Sequence, residues 1–173
     1  YNIAIGSMAL LGGTVGGDLI GNIAIGYRSL DATGTNAHTG TIAIGYNALT
    51  ALTSGERNTA IGYQALSTED AGDNSVAVGY EALKVQNNDT GANTAVGMRA
   101  GLAVSTGYSN TLLGSGAGAT LQGGYKNTYV GRDADGANGR INSTAVGFQT
   151  TAQADNSVTL GNASVTDVYM AQD

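Results

Sequence analysis

Asn58-Thr59-Ala60-Ile61-Gly62-Tyr63-Gln64-Ala65-Leu66 reads as one unit of a repeat, because nearly the same nine residues return along the whole chain. A Gly preceded by an aliphatic residue marks each return, at Gly6, Gly26, Gly45, Gly62, Gly79, Gly97, Gly114, Gly131, Gly147 and Gly161. The steps shorten from 20 residues at the amino end to 14 at the carboxyl end, at or just below the range of stacked repeat architectures. The spacing predicts ten coils. Residues 1–161 form the repeat domain, and residues 162–173 are expected to be a tail leading to a further domain.

The residue before each Gly is aliphatic, as in Ile25, Ile44, Ile61, Val78 and Val96, and a β-branched residue stands two positions earlier. Alternation with period two marks a short strand and puts these residues on one face. Their bulk assigns that face to the inside of the coil. The residue between them, Ala24, Ala43, Ala60, Ala77 or Ala95, then faces outward. A recurrent small apolar residue is unusual at a solvated strand position, so these Ala are the candidate seam with an identical subunit.

Gly26, Gly45, Gly62, Gly79 and Gly97 are structural positions, needed where φ is positive or another backbone comes close. Asn residues just upstream, such as Asn22, Asn58 and Asn93, suit Asx turns and the left-handed region. After the Gly come Tyr27, Tyr46, Tyr63 or Tyr80, a variable residue, a small residue and often Leu, which reads as a second short strand. Polar links of irregular length join the coils, longest at Leu11–Gly21 and Asp31–Gly40 and shortest at Ala152–Asp155. Such insertions gather on one edge of a solenoid, often the binding edge.

Composition agrees with a thin, elongated body. There are 28 Gly, no Trp and no Pro, and Phe occurs once, so small side chains must fill the cross-section. A net charge of −6 with no Lys/Arg cluster excludes phosphate-backbone recognition, so no nucleic-acid partner is expected. The absence of Cys removes disulfides and thiolate metal sites. No run approaches the roughly 20 apolar residues of a membrane span, so no membrane insertion is expected. Because the chain opens on Tyr1 with the repeat under way at Asn2, it is expected to be an excerpt of something longer.

The phrase Asn74–Gly79, nearly repeated at Asn156–Gly161, resembles the head repeat of trimeric autotransporter adhesins. Asn58–Leu66 resembles repeats of phage and large-virus tail-fibre proteins, and the tail Asn156–Asp173 is similar to the segment before a self-cleaving chaperone in viral fibres. The resemblance implies an all-β fold, a parallel β-solenoid (left-handed β-roll) assembled as a side-by-side homotrimer. The adhesin repeat is shorter than most coils here, and only the 14-residue step from Gly147 to Gly161 matches it. Ten coils at the usual strand spacing give a rod of about 45 Å.

No motif of catalysis or ligand binding is complete in the sequence. Gly114–Gly118 lacks the third Gly of a dinucleotide fingerprint and the Lys of a P-loop. Asp133–Gly139 opens like a calcium loop, but Ala137 and Thr144 stand where ligands are needed, so it reads as a polar turn. His38 is the only His, which excludes a His-based metal site within one chain, and it reads as a solvated loop residue. Glu56, Glu69 and Glu81 read as solvated charge, and the sequons at Asn88, Asn142 and Asn162 are chance matches in an Asn/Thr-rich chain.

These observations point to a non-enzymatic structural and attachment module without cofactors or metal, located on a virion fibre or a bacterial cell surface. Its partners are its own copies and a cell-surface glycan or protein receptor. Contact residues are Tyr27, Tyr46, Tyr63 and Tyr80, and the links Asp31–Gly40, Thr50–Arg57, Ser67–Asp73 and Lys84–Ala92. The Tyr series reads either as a structural stack or as a platform for sugar rings. A glycan-degrading fibre with a site between subunits is one alternative. An ice-binding solenoid is another, but it needs outward Thr, whereas the face assignment above puts Thr59, Thr94, Thr111, Thr128 and Thr144 inside.

Overall fold

The computed structural model describes residues 1–11, 19–32 and 38–169. The chain is an all-β parallel solenoid without helix among those residues. Ten three-residue strands pair in a single sheet: β1 (Ile3–Ile5), β3 (Ile23–Ile25), β5 (Ile42–Ile44), β6 (Thr59–Ile61), β7 (Val76–Val78), β8 (Thr94–Val96), β9 (Thr111–Leu113), β10 (Thr128–Val130), β12 (Thr144–Val146) and β14 (Val158–Leu160). Each pairs with the next in register, Ala43 opposite Ala60 and Ala60 opposite Ala77. Ten rungs are joined by about nine turns of solenoid, one fewer than ten coils, because the last rung opens a turn that is not completed.

The marker Gly occupies a conformation and a space that only Gly tolerates. Gly62 has φ +138°, and a Cβ there would strike the backbone carbonyl of Gly79 one rung on. The stretch after it is not the expected second strand. Gln64 and Leu66 have φ +53° and +50°, and the same two positions are left-handed at Arg28 and Leu30, Asn47 and Leu49, and Glu81 and Leu83. Two left-handed residues in five break an extended run, so the segment folds as turns. Extended pairing at this place appears only late, where β11 (Asp135–Gly136) pairs with β13 (Thr151–Ala152). The other short pair, β2 (Leu19–Ile20) with β4 (His38–Thr39), lies in the links.

The turns are nevertheless tied rung to rung by backbone hydrogen bonds, such as Gln64 N–H to Tyr46 O at 2.9 Å and Leu66 N–H to Ala82 O at 3.1 Å. No rung is satisfied alone. Each coil is a template for the next.

The strand faces are the reverse of those the aliphatic bulk suggests. Ala24, Ala43, Ala60, Ala77 and Ala95 are fully buried inside the coil, so they are not a subunit seam. The flanking residues point out: Ile5 is 59% exposed, Ile61 36% and Leu113 47%. The cross-section explains the inversion. A second buried column (Ala48, Ala65, Ala82) and the Leu that ends the repeat (Leu49, Leu66, Leu83) come back across the coil and meet the strand centre, leaving room there for a methyl group only.

The carboxyl-terminal rungs confirm this by moving the volume. Leu112 and Tyr129, both fully buried, replace the central Ala. At the same place where Leu66 sits in its coil, rungs near them carry Gly101 and Gly118, whose Cβ atoms would lie 2.9 and 2.6 Å from Leu112 side-chain carbons. A Cβ at Gly136 would strike the Tyr129 hydroxyl.

The upstream Asn residues are buried as well. Asn58, Asn93, Asn110 and Asn127 form a column in which Asn93 Oδ1 accepts the Asn110 N–H at 2.9 Å and Asn110 Oδ1 accepts the Asn127 N–H at 3.0 Å. Their Nδ2 groups donate to link carbonyls, as Asn58 does to Gly72 O at 2.6 Å. The left-handed residue of this turn is the one before, Arg57 or Lys126, while Asn74, Asn142 and Asn156 hold that position themselves. The Asn thus staples strand to link.

Candidate contact surfaces

Two outward surfaces emerge beside the buried columns. The first is the sheet face. Its two ladders run Ile23, Ile42, Thr59, Val76, Thr94, Thr111, Thr128, Thr144 and Ile25, Ile44, Ile61, Val78, Val96, Leu113, Val130, Val146, in register from rung to rung. In the second ladder Ile61, Leu113 and Val146 are exposed and the other residues half-buried, and a contiguous aliphatic column of this length is unusual on the surface of a monomer.

The second surface follows the marker Gly. Tyr27, Tyr46, Tyr63 and Tyr80 stack face to face, with centroids 5.2–5.3 Å apart and planes within 8–21°. Arg99 continues the stack, its guanidinium 5.7 Å from the Tyr80 centroid. Both faces of Tyr46 and Tyr63 are therefore covered, and the rings offer solvent only edges and hydroxyls. A sugar ring needs a free aromatic face, so stacking on the interior of this ladder is not available. A separate pair, Tyr108 and Tyr125, stacks at 4.9 Å in the links.

The residue after each Tyr, which the repeat leaves variable, is charged at the two ends of the ladder, Arg28 and Glu81, and neutral between them, Asn47 and Gln64. Arg28 donates through Nε to Asp31 Oδ2 at 2.6 Å, and Asp31 also accepts the Thr50 hydroxyl at 2.6 Å. The Asp31 hydrogen bond pushes the Arg28 pKa up, with smaller contributions from the Tyr27 and Tyr46 phenols. Glu81 accepts from Lys84 at 2.7 Å and Arg99 at 2.9 Å. The Lys84 hydrogen bond, with Arg99 behind it, holds the Glu81 carboxyl below its ordinary value. Asn47 Oδ1 is buried beside this column without a hydrogen-bond partner.

The links are more structured than polar loops. Residues 33–37 of Asp31–Gly40, and 12–18 of Leu11–Gly21, lie outside the described residues. His38 is not solvated: it is fully buried, with Nδ1 3.0 Å from Gly55 O. Glu69 is not solvated either. Its carboxylate is fully buried and takes Gly72 N–H at 2.7 Å and Gln86 Nε2 at 2.7 Å, and Gln86 in turn meets Ser75 and Asn93. In Thr50–Arg57 the exposed Arg57 ties to Glu56, Asp73 and Asn74. In Lys84–Ala92 the Asn88 side chain spans Gly91 N–H and Gly107 O.

The acidic turn at Asp133–Gly139 spends its oxygens on the backbone. Asp135 accepts the N–H groups of Gly136 and Thr120, and burial raises its pKa. Among the described residues no group of three His, Cys, Asp or Glu side chains could hold a metal ion. Gly116 and Gly118 hold the left-handed positions of their coil rather than a phosphate cradle. At the carboxyl end an open groove of about 640 Å³ is lined by Gln149, Thr151, Thr159 and Asn162 among others. No helix among the described residues is long and apolar enough to cross a membrane.

Two segments, residues 54–82 and 141–164, match the family model of the YadA head domain repeat. No curated protein and no solved structure matches the chain. The two repeat matches and the parallel solenoid fit the trimeric autotransporter adhesin head type.

Proposed function

We propose that the chain is a non-catalytic segment of a trimeric, surface-displayed fibre of adhesin type, with three copies side by side and outward groups contacting a cell-surface glycan or protein receptor. The observation that carries this reading is the outward aliphatic ladder. Ile5, Ile61, Leu113, Val146 and Leu160 are 36–59% exposed on one sheet face, and three such faces turned inward around a common axis would remove them from water. The seam therefore belongs to the ladders Ile25–Ile44–Ile61 and Ile23–Ile42–Thr59, not to the Ala column between them. Receptor contact falls to the Tyr edges and to exposed link residues such as Thr53, Thr68 and Asp89.

Extracellular display, on a cell surface or a virion, follows from the same reading. Light scattering of the purified chain tests it: a mass three times that of the 17.2 kDa chain is expected, and a stable monomer would remove the seam.

A second reading is favoured by one observation. Thr94, Thr111, Thr128 and Thr144 stand outward in register on four successive rungs, the arrangement an ice-binding face requires. It competes with assembly for the same surface. Thermal hysteresis from a monomeric chain would favour it, and its absence from a trimer would leave the fibre reading.

A further inference from the structure

We infer that the Tyr27–Tyr80 ladder and its flanking arginines form a lengthwise site for a linear acidic polysaccharide, bound through oxyanion groups rather than by sugar stacking. This rests on the attachment reading and names its ligand class. The exposed edges of the stacked rings carry the positive side of the aromatic quadrupole, and each hydroxyl can donate. The ladder is therefore a row of donors on rings whose centroids are 5.3 Å apart.

A guanidinium stands at each end of that row. Arg28 directly follows Tyr27 in the chain, and the Arg99 guanidinium lies 5.7 Å from the Tyr80 centroid. Their side chains are 47% and 51% exposed, and each bonds its carboxylate through Nε, so the two terminal amino groups are not spent on it. Four rung steps separate them, about 19 Å at the usual strand spacing. Local charge also runs against the molecule's overall balance of −6. Arg28, Lys84 and Arg99 outnumber Asp31 and Glu81 on this surface.

A chain of sugars laid along the ladder would put a carboxylate or sulfate at each guanidinium and its hydroxyls on the Tyr row. Charge-assisted bonds to Arg are the strong contacts of such a site.

Isothermal titration of the intact chain with a heparin octasaccharide, a hyaluronan octasaccharide and neutral maltooctaose tests the site. Binding of either acidic ligand, weakening as salt rises, is expected, with none for maltooctaose. Arg28→Gln and Arg99→Gln should each weaken binding about fivefold. Tyr46→Phe with Tyr63→Phe, which keeps the stack but removes two hydroxyls, should weaken it a few-fold, while Lys126→Gln, away from the ladder, should not. Equal binding of the neutral sugar, no binding of either acid, or wild-type binding by the Arg28→Gln/Arg99→Gln variant would each overturn the site. If the chain assembles and attaches to cells yet binds neither acid, the attachment reading stands and this site does not.

Discussion

The rungs built on Ala43, Ala60 and Ala77 and those built on Leu112 and Tyr129 share a backbone and a register but fill it from opposite sides. In the first group a methyl group at the strand centre faces a Leu returning from the far side. In the second, the large residue sits on the strand and Gly118 or Gly136 clears its path. The outward side does not follow this division: Thr59, Thr94 and Thr144 flank central Ala60, Ala95 and Ala145, just as Thr111 and Thr128 flank Leu112 and Tyr129. The repeat therefore conserves interior volume per coil, not residue identity at a position, as close packing demands.

The largest effects should come from emptying the second group. Tyr129→Ala leaves a cavity that Gly136 cannot fill and removes one of the two side-chain partners of the Ser143 hydroxyl, 2.9 Å from the Tyr129 hydroxyl, leaving only its bond to Asn127 Oδ1. It should cost about 3–5 kcal/mol in urea unfolding. Leu112→Ala should cost about 2–5 kcal/mol, and adding Gly118→Leu should return more than 1 kcal/mol by rebuilding the Ala/Leu pattern of the first group. A double mutant no more stable than Leu112→Ala would break the volume argument.

Smaller effects sharpen the comparison. Asn110→Ala removes the acceptor of the Asn127 N–H inside the buried column and should cost about 1–3 kcal/mol, whereas Asn74→Ala, at an exposed left-handed position, should cost less. Acidification should act oppositely at two places. Glu81 has a folded pKa below its unfolded value, so its stabilisation is present at neutral pH and is lost as pH falls through the folded pKa. Asp135 has a folded pKa above its unfolded value, so its contribution is fully present below the unfolded pKa and is lost as pH rises through the folded one. Hydrogen exchange followed from neutral pH down through the carboxylate range should show the turn at Asp135–Gly136 tightening and, once pH falls through the lowered Glu81 pKa, the turn at Glu81–Lys84 loosening.

The strands, their register marker and the all-β solenoid were legible because repetition supplies many independent samples of one local pattern. The faces were not. Period two separates Ala60 from Thr59 and Ile61 but does not say which side is inside, and aliphatic bulk argued for the wrong one. The deciding signal lay in paired exceptions: Leu112 and Tyr129 depart from Ala where Gly118 and Gly136 depart from the returning Leu or its neighbour. His38, Glu69 and Gln86 look like loop polars because their partners, Gly55 O, Gly72 N–H and Asn93, come from elsewhere in the coil or from the next one. The ladder of Tyr was visible, but its covered faces depend on the 5.3 Å stacking that only the coil geometry fixes.

The central claim is that the central residue of each strand faces the coil interior and that the flanking aliphatic residues face outward to join the copies. Ile61→Lys and Ala60→Lys, adjacent in sequence and opposite in facing, test it directly when light scattering is read beside circular dichroism. Ile61→Lys should give a folded β monomer, and Ala60→Lys, which buries an unpaired charge, should not fold. A folded monomer from Ala60→Lys together with an intact trimer from Ile61→Lys would contradict the account.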